Sequence, residues 1–366
     1  MALLQDGQTI RDTYEVERFV GEGAFAEVYR VKHRFLGRQA MKVFKRVGMT
    51  LPEIVEILGE AITLSRIGHP NIVRVFDANV METPGGLCGY FTMENVAGGS
   101  LDKFWRSHGT KLIPVQTTVD LARQVCRGLS VAHRETPPVI HRDIKPQNIL
   151  VGYEPDGLRA RVSDFGLAKQ VNPLTLLATA AGTLAFKPPE AFSDKKGDSC
   201  AADVWAIGTT LYLLLTDRFP YKQPNDLGWG SKNLFNEEYI PPSEINPDAN
   251  VAMDKIIATA LALDAKGRFP SAVEFLDALN SWEPGAPCTK RKGAAASENS
   301  KVAIGGRQTS QNRAEAEAMA SRAVRLQKEG QLGDAADLME DAFNKWPSLR
   351  EQYAPQVKLW RRGISM

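Results

Sequence analysis

Apolar and polar residues alternate over the first 100 residues of the chain with the two-residue period of β-strands. The alternation runs through YEVERFV, AEVYRVKH and QAMKVF, which are separated by the turn sequences GEG and FLGR. Two further strand-like segments, IVRVFDANV and CGYFTMENV, flank the turn TPGG. A helix is predicted between these groups at residues 52–67, where Thr50 and Glu53 have capping-box spacing and Pro52 falls in the first turn. Residues 14–94 are therefore predicted to form an antiparallel sheet with one helix.

From residue 101 the apolar positions recur at helical spacing instead. The predicted helices occupy residues 117–133, 202–215, 251–263 and 271–282. Short strand-like pieces at residues 148–151 and 159–162 interrupt this pattern. A larger helical lobe is thus expected after the small lobe, and a cleft between two such lobes is a common place for a small ligand.

After Trp282 the composition changes again. Residues 283–312 are rich in Pro, Gly, Ala and Ser and have no period, which predicts a flexible linker. A helical tail is predicted at residues 313–362. Its residues Gly330, Ala335, Met339, Ala342 and Pro347 have the spacing of the second half of a tetratricopeptide repeat, and Ala323 and Leu326 fit the first half. Because one repeat buries too little apolar surface alone, the tail should pack on the preceding domain or bind a partner protein, unless it is an extension without function.

Charge and cysteine usage narrow the class of protein. The formal net charge of the 366 residues is +2, which argues against nucleic acid as the principal partner. No apolar stretch approaches the roughly 20 residues that span a bilayer, and the polar first ten residues do not resemble a signal peptide. The four cysteines lie far apart, at Cys88, Cys126, Cys200 and Cys288. We therefore expect a cytoplasmic protein with reduced thiols and no membrane partner.

A glycine-rich turn joins the first two predicted strands, with the pattern Gly21-x-Gly23-x-x-Ala26-x-Val28. Glycines let the backbone approach phosphate oxygens without an intervening Cβ. In Walker and Rossmann motifs such a loop opens into a helix, whereas here the segment AEVYRV continues as a strand. The pattern predicts phosphates bound under a β-hairpin.

Lys42 lies on the third predicted strand, in the segment AMKV. A lysine on such a strand would by itself more often face solvent, but an inward ammonium needs a carboxylate. Glu60 interrupts the apolar stripe of the predicted helix near Ile57 and Leu64, so it faces the core side. Glu60 is therefore the candidate partner of Lys42.

Two further motifs, HRDIKPQNIL at residues 141–150 and DFG at residues 164–166, contain the groups that phosphoryl transfer needs. This reaction depends on positioning and charge neutralisation, through an acceptor for the hydroxyl proton, a cation and oxygen ligands for Mg²⁺. Asp143, Lys145, Asn148 and Asp164 supply these groups. Two oxygen ligands suffice because Mg²⁺ also takes phosphates and waters.

Together these motifs resemble the eukaryotic-type serine/threonine protein kinase family, in the compact form found in bacteria. The resemblance covers about residues 14–279 and implies an α+β, bilobal protein-kinase-like fold followed by a short all-α tail. It implies a kinase domain at residues 14–282, with a small lobe to about residue 94, a hinge at 94–99 and a large lobe at 100–282.

The resemblance also implies roles for individual residues. Asp143 would be the catalytic base, Lys145 would contact the γ-phosphate, and His141 would be structural. Asn148 and Asp164 would hold Mg²⁺, with Mn²⁺ as an alternative, and Lys42 would hold the α- and β-phosphates through its pair with Glu60. The implied ATP-binding residues are Gly21, Gly23, Val28, Ala40, Lys42, Met93, Glu94, Val96 and Leu150. Glu190 and Arg268 would form a structural ion pair, while Ala26 and Pro188 depart from the family pattern.

Acceptor choice and regulation follow from the same resemblance. Lys145, two residues after Asp143, and Thr183 in the segment GT imply serine or threonine acceptors on protein substrates. Arg142 would take an anionic partner, so activation is expected from autophosphorylation at Thr175 or Thr179, through a transient homodimer. The alternative is a kinase-fold scaffold without activity whose tail recruits partners, but every charged group that the reaction needs is present.

Overall fold

The computed structural model of the chain describes residues 2–23, 25–109, 111–165, 184–192, 199–221, 235, 239–285, 306–328, 331–346 and 349–361. The residues singled out from the sequence that lie outside the described residues are Gly166, Thr175, Thr179, Thr183, Cys288, Gly330 and Pro347. Glu60 is described only in its backbone.

The small lobe is built on a six-stranded antiparallel sheet with strand order β1-β2-β3-β4-β6-β5. Its strands are β1 (Thr9–Ile10), β2 (Tyr14–Glu22), β3 (Ala26–His33), β4 (Gly37–Phe44), β5 (Val75–Thr83) and β6 (Gly86–Glu94). The predicted antiparallel sheet is confirmed. Strand β1 was not predicted, since two residues are too short to show an alternating pattern.

The helix predicted at residues 52–67 is divided in the structure, so the prediction of one continuous helix was wrong. It consists of α1 (Leu51–Ile57) and α2 (Gly59–Arg66), with Leu58 between them in a turn. Gly59 follows the break, and glycine is a weak helix former because it loses the most backbone entropy. The N–H of Thr50 donates to Oε2 of Glu53 at 2.9 Å, as the capping-box spacing predicted.

The two faces of the sheet have different partners. On one face, Tyr29 and Met41 are buried in a cluster that includes Leu4 from the N-terminal segment. On the other face, Ala40 packs in a cluster with Ile54 of α1 and with Val28. This second face is the one that looks toward the large lobe, because Val28 is the strand partner of Lys42, which contacts Asp164 of that lobe.

The large lobe is mainly helical, as predicted. Its elements are α3 (Leu101–Arg106), α4 (Val115–His133), β7 (Ile149–Glu154), β8 (Gly157–Val162), α5 (Cys200–Thr216), α6 (Pro242–Ile245), α7 (Val251–Ala260) and α8 (Ala272–Ser281). Strands β7 and β8 form an antiparallel pair. Helix α5 is buried from Ala201 to Thr216, which places it at the centre of the lobe.

The C-terminal tail is a three-helix unit of α9 (Gly306–Lys328), α10 (Leu332–Lys345) and α11 (Leu349–Arg361). Helix α9 begins at Gly306, before the predicted start near residue 313. The apolar residues of the tail pack against one another, with Ala323, Met339, Phe343 and Trp360 all buried in one cluster. The tail therefore covers much of its own apolar surface, with Val357 and Trp360 of α11 packed on α9 and α10. Within the described residues, none of the helices combines the length and apolar character needed to cross a membrane.

Candidate active site

The loop between α4 and β7 brings three of the predicted site residues together. Oδ2 of Asp143 accepts from Nζ of Lys145 at 2.8 Å and from Nδ2 of Asn148 at 2.9 Å. The same amide of Asn148 donates to the backbone oxygen of Asp143 at 2.8 Å. Asn148 closes the 3₁₀ turn Pro146–Asn148, so this turn fixes the distance between the carboxylate and the amide. The result is a carboxylate held in place by a cation on one side and an amide on the other.

Asp164 lies opposite this loop and contacts the small lobe. Nζ of Lys42 on β4 lies 2.5 Å from Oδ1 of Asp164, and the Lys42 side chain is only 5% exposed. Asp164 has a φ of 62°, a left-handed conformation that is uncommon outside glycine. Burial acts to raise the pKa of Asp164, but the ammonium groups of Lys42 and Lys145 hold it below the ordinary value. The carboxylate is therefore charged at neutral pH.

His141 is buried between the loop and the Asp164 segment. Its Nδ1 accepts from the N–H of Asp143 at 3.2 Å, so Nε2 carries the proton that it donates to the carbonyl of Ser163 at 2.7 Å. The ring centroid lies 4.6 Å from that of Phe165. Burial lowers the pKa of His141, which keeps the ring neutral. Both ring nitrogens are thus used to position backbone.

The backbone of the loop is anchored by Asp203, the acidic residue of the buried helix α5. Its carboxylate accepts from the N–H of His141 at 2.7 Å and from the N–H of Arg142 at 2.8 Å, and it contacts Nε2 of His133 at 3.0 Å. Arg142 has a φ of 70°, so the loop turns sharply at this point. Burial acts to raise the pKa of Asp203, but its bonds with His133 and His141 hold it low.

Asp203 falls in the helix predicted at residues 202–215, but the sequence analysis assigned it no anchoring role. The available signal was an aspartate in an otherwise apolar helix, because a buried carboxylate must be paired.

The residues expected around the adenine end of ATP lie along the cleft side of the sheet and below it. Val28, Ala40, Met93 and Leu150 belong to or pack on one apolar cluster. Ala40 and Met93 are cross-strand partners. The N–H of Gly23 donates to the carbonyl of Ala26 at 2.8 Å and so closes the β2–β3 turn.

Gly21 and Gly23 lie in or next to the β2–β3 turn, and the space that a Cβ would take at Gly21 is open. The β2–β3 turn therefore leaves open space beside Gly21.

The hinge between the lobes packs closely on β7. A Cβ on Gly98 would lie 1.8 Å from the carbonyl oxygen of Val151, so only glycine fits there. The N–H of Val151 donates to the carbonyl of Gly99 at 2.8 Å. Oε1 of Glu94, at the start of the hinge, lies 3.0 Å from Nε of Arg161 on β8. Val96 lies against Gly152 in the same region, where a Cβ on Gly152 would meet Cγ1 of Val96 at 3.4 Å.

Glu190 and Arg268 lie together, as expected from the sequence. Nη1 and Nη2 of Arg268 each lie 2.7 Å from an oxygen of Glu190. The Arg268 side chain is fully buried; it also donates to the carbonyl of Ala262 at 2.8 Å and lies over the ring of Trp205 at 4.8 Å. This two-pronged pair ties the segment before α5 to the segment before α8.

Comparison with known proteins agrees with this architecture. Residues 14–280 match the family described as Protein kinase domain. The chain is 31% identical to the protein named Probable serine/threonine-protein kinase CA_C1728 of Clostridium acetobutylicum, over 75% of this chain and 40% of that protein. It is 32% identical to Tyrosine-protein kinase MasK of Myxococcus xanthus, over 74% of this chain and 43% of that protein. The chain thus matches less than half the length of these curated relatives.

Among solved structures, the crystal structure of the Mycobacterium tuberculosis PknI kinase domain is similar. It has 27% sequence identity and a TM-score of 0.55, and the match covers 76% of this chain and 98% of that one. A family match over most of the chain, a similar solved fold and the Asp143 and Asp164 geometry all agree. The chain belongs to the protein kinase family.

Proposed function

We propose that this protein is an ATP-dependent kinase that transfers the γ-phosphate to serine or threonine hydroxyls of protein substrates. The observation that carries the proposal is the placement of Asp143 within 2.9 Å of Lys145 and Asn148, with Asp164 bound to Lys42 across the cleft. These are a proton acceptor, two cations and two oxygen ligands on facing walls of one cleft, which is what phosphoryl transfer requires.

In this mechanism Asp143 orients the acceptor hydroxyl and takes its proton. The hydroxyl oxygen forms a bond to the γ-phosphorus while the bond from that phosphorus to the bridging oxygen of ADP breaks. Lys145 neutralises charge on the transferred group, and Lys42 holds the remaining phosphates.

The metal would be Mg²⁺, with Mn²⁺ as an alternative, held by oxygens of Asn148 and Asp164. An amide oxygen and a charged carboxylate suit a hard cation that takes its other ligands from phosphates and water. When bound, such an ion neutralises phosphate charge. The depressed pKa of Asp164 supports this assignment, because a ligand carboxylate must be ionised.

Serine and threonine are the acceptors that we propose, supported by Lys145 two residues after Asp143 and by the relative CA_C1728. The similarity to a protein named as a tyrosine kinase makes tyrosine the alternative. Incubation with radiolabelled ATP and a generic basic protein, followed by phosphoamino-acid analysis, tests both points. Labelled phosphoserine or phosphothreonine is expected; phosphotyrosine alone would refute the acceptor, and no label at all would favour the inactive scaffold.

Four finer assignments complete the proposal. The kinase domain spans residues 14–282 and is followed by a linker and by the helical tail, which begins at Gly306 rather than near residue 313. The protein acts in the cytoplasm. Activation by autophosphorylation at Thr175 or Thr179 would involve a transient homodimer, with Thr183 next to the catalytic groups. The tail would be a tetratricopeptide-like module that recruits a protein partner. Affinity capture with the full chain and with a chain ending at Trp282 tests the last point, since only the full chain should retain the partner.

A further inference from the structure

Three arginines form a cluster at the outer end of the nucleotide side of the sheet. Arg30 of β3 is the cross-strand partner of Arg18 of β2 and of Ala40 of β4. Antiparallel partners point to the same face, and Arg38 lies two residues from Ala40 on that strand, so all three arginines share the face of Ala40. This arginine cluster therefore continues the wall of the proposed ATP pocket outward, toward the hinge side of its mouth.

The tail presents a matching row of carboxylates. Asp334, Asp337 and Asp341 are spaced at three and four residues along α10, which puts them on one face of the helix. Asp341 lies 3.2 Å from Nη2 of Arg18 and 3.4 Å from Nη1 of Arg30. The row also contacts Arg38, which lies 3.1 Å from Asp334 and pairs with Asp337.

Glu17 orients this network from within the sheet. Its carboxylate lies 2.7 Å from Nε of Arg30 and 2.8 Å from Nε of Arg38. The single negative charge of Glu17 does not neutralise the three positive charges of the arginines. The cluster therefore keeps a net positive charge, which is complementary to the acidic face of α10. The side chains of Arg30 and Arg38 are 18% and 28% exposed, and a partly buried network of this kind contributes more than an isolated surface pair.

The tail also reaches the large lobe at the hinge. The guanidinium of Arg350 on α11 lies 3.4 Å from the ring centroid of Tyr153 on β7. Tyr153 in turn lies against the hinge, since a Cβ on Gly98 would meet its Cε2 at 3.4 Å. Helices α10 and α11 therefore contact both lobes, on either side of the hinge that joins them.

We propose that the tail docks in cis on the arginine cluster and on Tyr153, and that it acts as a clamp that slows release of nucleotide from the cleft. The occupant of the cluster is the acidic face of α10 of the same chain. The contacts described between tail and lobes are ionic and cation–π, while the tail's apolar residues pack internally, so docking is reversible and sensitive to salt. The effect on nucleotide rests on the proposed function, whereas the docking itself does not.

Docking is tested first, without nucleotide, in the full chain. Arg38→Cys combined with Asp337→Cys should be joined within one chain by a short bis-maleimide, which is used instead of direct oxidation because cysteine is too short to replace the arginine side chain that bridges the two backbones. The cross-linked peptides are identified by mass spectrometry, and the single variants Arg38→Cys and Asp337→Cys control for the native cysteines. A cross-linked dimer would assign the contact to a second copy and overturn docking in cis, and absence of the cross-link would overturn docking altogether.

The effect on nucleotide is tested by reversing charges. Asp337→Arg with Asp341→Arg should accelerate dissociation of a fluorescent ATP analogue by roughly fivefold or more, a coupling of ordinary size between two sites. Adding Arg30→Asp and Arg38→Asp, together with Glu17→Gln, should restore slow release, because the pairs re-form with opposite sign and Glu17 no longer repels the new carboxylates. Glu315→Arg is the matched control, since Glu315 pairs with Lys345 inside the tail.

Three outcomes would overturn the clamp: unchanged release in the first variant, no recovery in the swapped chain, or equal acceleration by Glu315→Arg. In the wild-type chain, raising the salt concentration should speed release, and it should do so much less in the variant with the reversed acidic row. A chain that binds no nucleotide but forms the intramolecular cross-link would refute the proposed function and leave the docking intact.

Discussion

The ammonium of Lys42 and the carboxylate of Asp164 lie 2.5 Å apart and join the two lobes across the cleft. Glu60, the partner that the sequence indicated for Lys42 from 18 positions away, has its side chain outside the described part of the structure and stays a prediction. Asp164, by contrast, is 122 residues away, and it follows a strand of the other lobe. Two groups with proposed roles in phosphate and metal binding are thus also counter-ions of each other.

This pair has a consequence for stability at low pH. A carboxylate whose pKa is depressed in the folded state contributes stability above its unfolded value, near 3.8, and loses it as pH falls through the lower folded value. Lys42→Met should therefore lower the free energy of unfolding at pH 7, as measured by urea unfolding. Below about pH 5 the free energy of unfolding should fall less steeply with pH in this variant than in the wild type. Lys45→Met is the control, since Lys45 pairs with the exposed Glu22. If the free energy of unfolding of Lys42→Met falls as steeply below pH 5 as that of the wild type, Lys42 does not depress the pKa of Asp164.

The carboxylate of Asp143 should be needed for transfer but not for nucleotide binding. Asp143→Asn keeps the shape and an oxygen near Lys145, yet it removes the proton acceptor, so kcat should fall at least about 100-fold. Binding of a fluorescent ATP analogue and the melting temperature should change little. Asp277→Asn, on the exposed side of α8, serves as the control. Retention of more than a few per cent of kcat by Asp143→Asn would show that another group takes the proton.

Asp203 should act on catalysis through the backbone of the loop. In Asp203→Asn one of the two bonds to the N–H groups of His141 and Arg142 is lost, because an amide has only one acceptor atom. We expect a loss of roughly 1–3 kcal/mol of stability together with a lower kcat. Asp254→Asn is a matched control: Asp254 accepts two bonds from Ser243 far from the loop, at 2.9 and 2.6 Å. Asp254→Asn should lower stability without changing kcat. If Asp203→Asn and Asp254→Asn have equal kcat, Asp203 does not position the loop for catalysis.

Several of these features could be predicted from the sequence and others could not. The strands were predictable because residues such as Val28 and Met41 lie on an alternating pattern, and the short motifs around Asp143 and Asp164 keep their groups within a few residues. The anchoring by Asp203 depends on a helix that is about 60 residues away in sequence. The tail contacts, such as Arg18 with Asp341, join residues 323 positions apart, and no local pattern encodes them.

The Glu190–Arg268 pair should contribute to stability mainly by avoiding an unpaired charge. Glu190→Gln leaves the buried guanidinium without its counter-ion and should cost roughly 3 kcal/mol. The double variant Glu190→Gln/Arg268→Met removes both charges and should be less destabilised than Glu190→Gln alone. Urea unfolding of the two variants and the wild type measures this. A double variant at least as unstable as the single one would mean that the pair itself, rather than the isolated charge, dominates.

Activation-loop phosphorylation is tested by mass spectrometry and by substitution. The active enzyme should carry phosphate on Thr175 or Thr179, and the double variant Thr175→Ala/Thr179→Ala should lose most of its activity while keeping nucleotide binding. Phosphate on either residue should be absent from Asp143→Asn purified alone, because the modification is autocatalytic in this proposal. An unmodified loop in active enzyme, with a fully active double variant, would contradict it.

The contact between Gly98 and Val151 makes the hinge unusually intolerant of sequence change. Even a methyl group at position 98 would overlap the carbonyl oxygen, and backbone cannot move aside as a flexible side chain can. In a saturation-mutagenesis experiment, alanine at this position should therefore be as damaging as a large residue. One added carbon at position 98 would therefore change the separation of the two lobes, although it would contact none of the residues proposed to bind ATP.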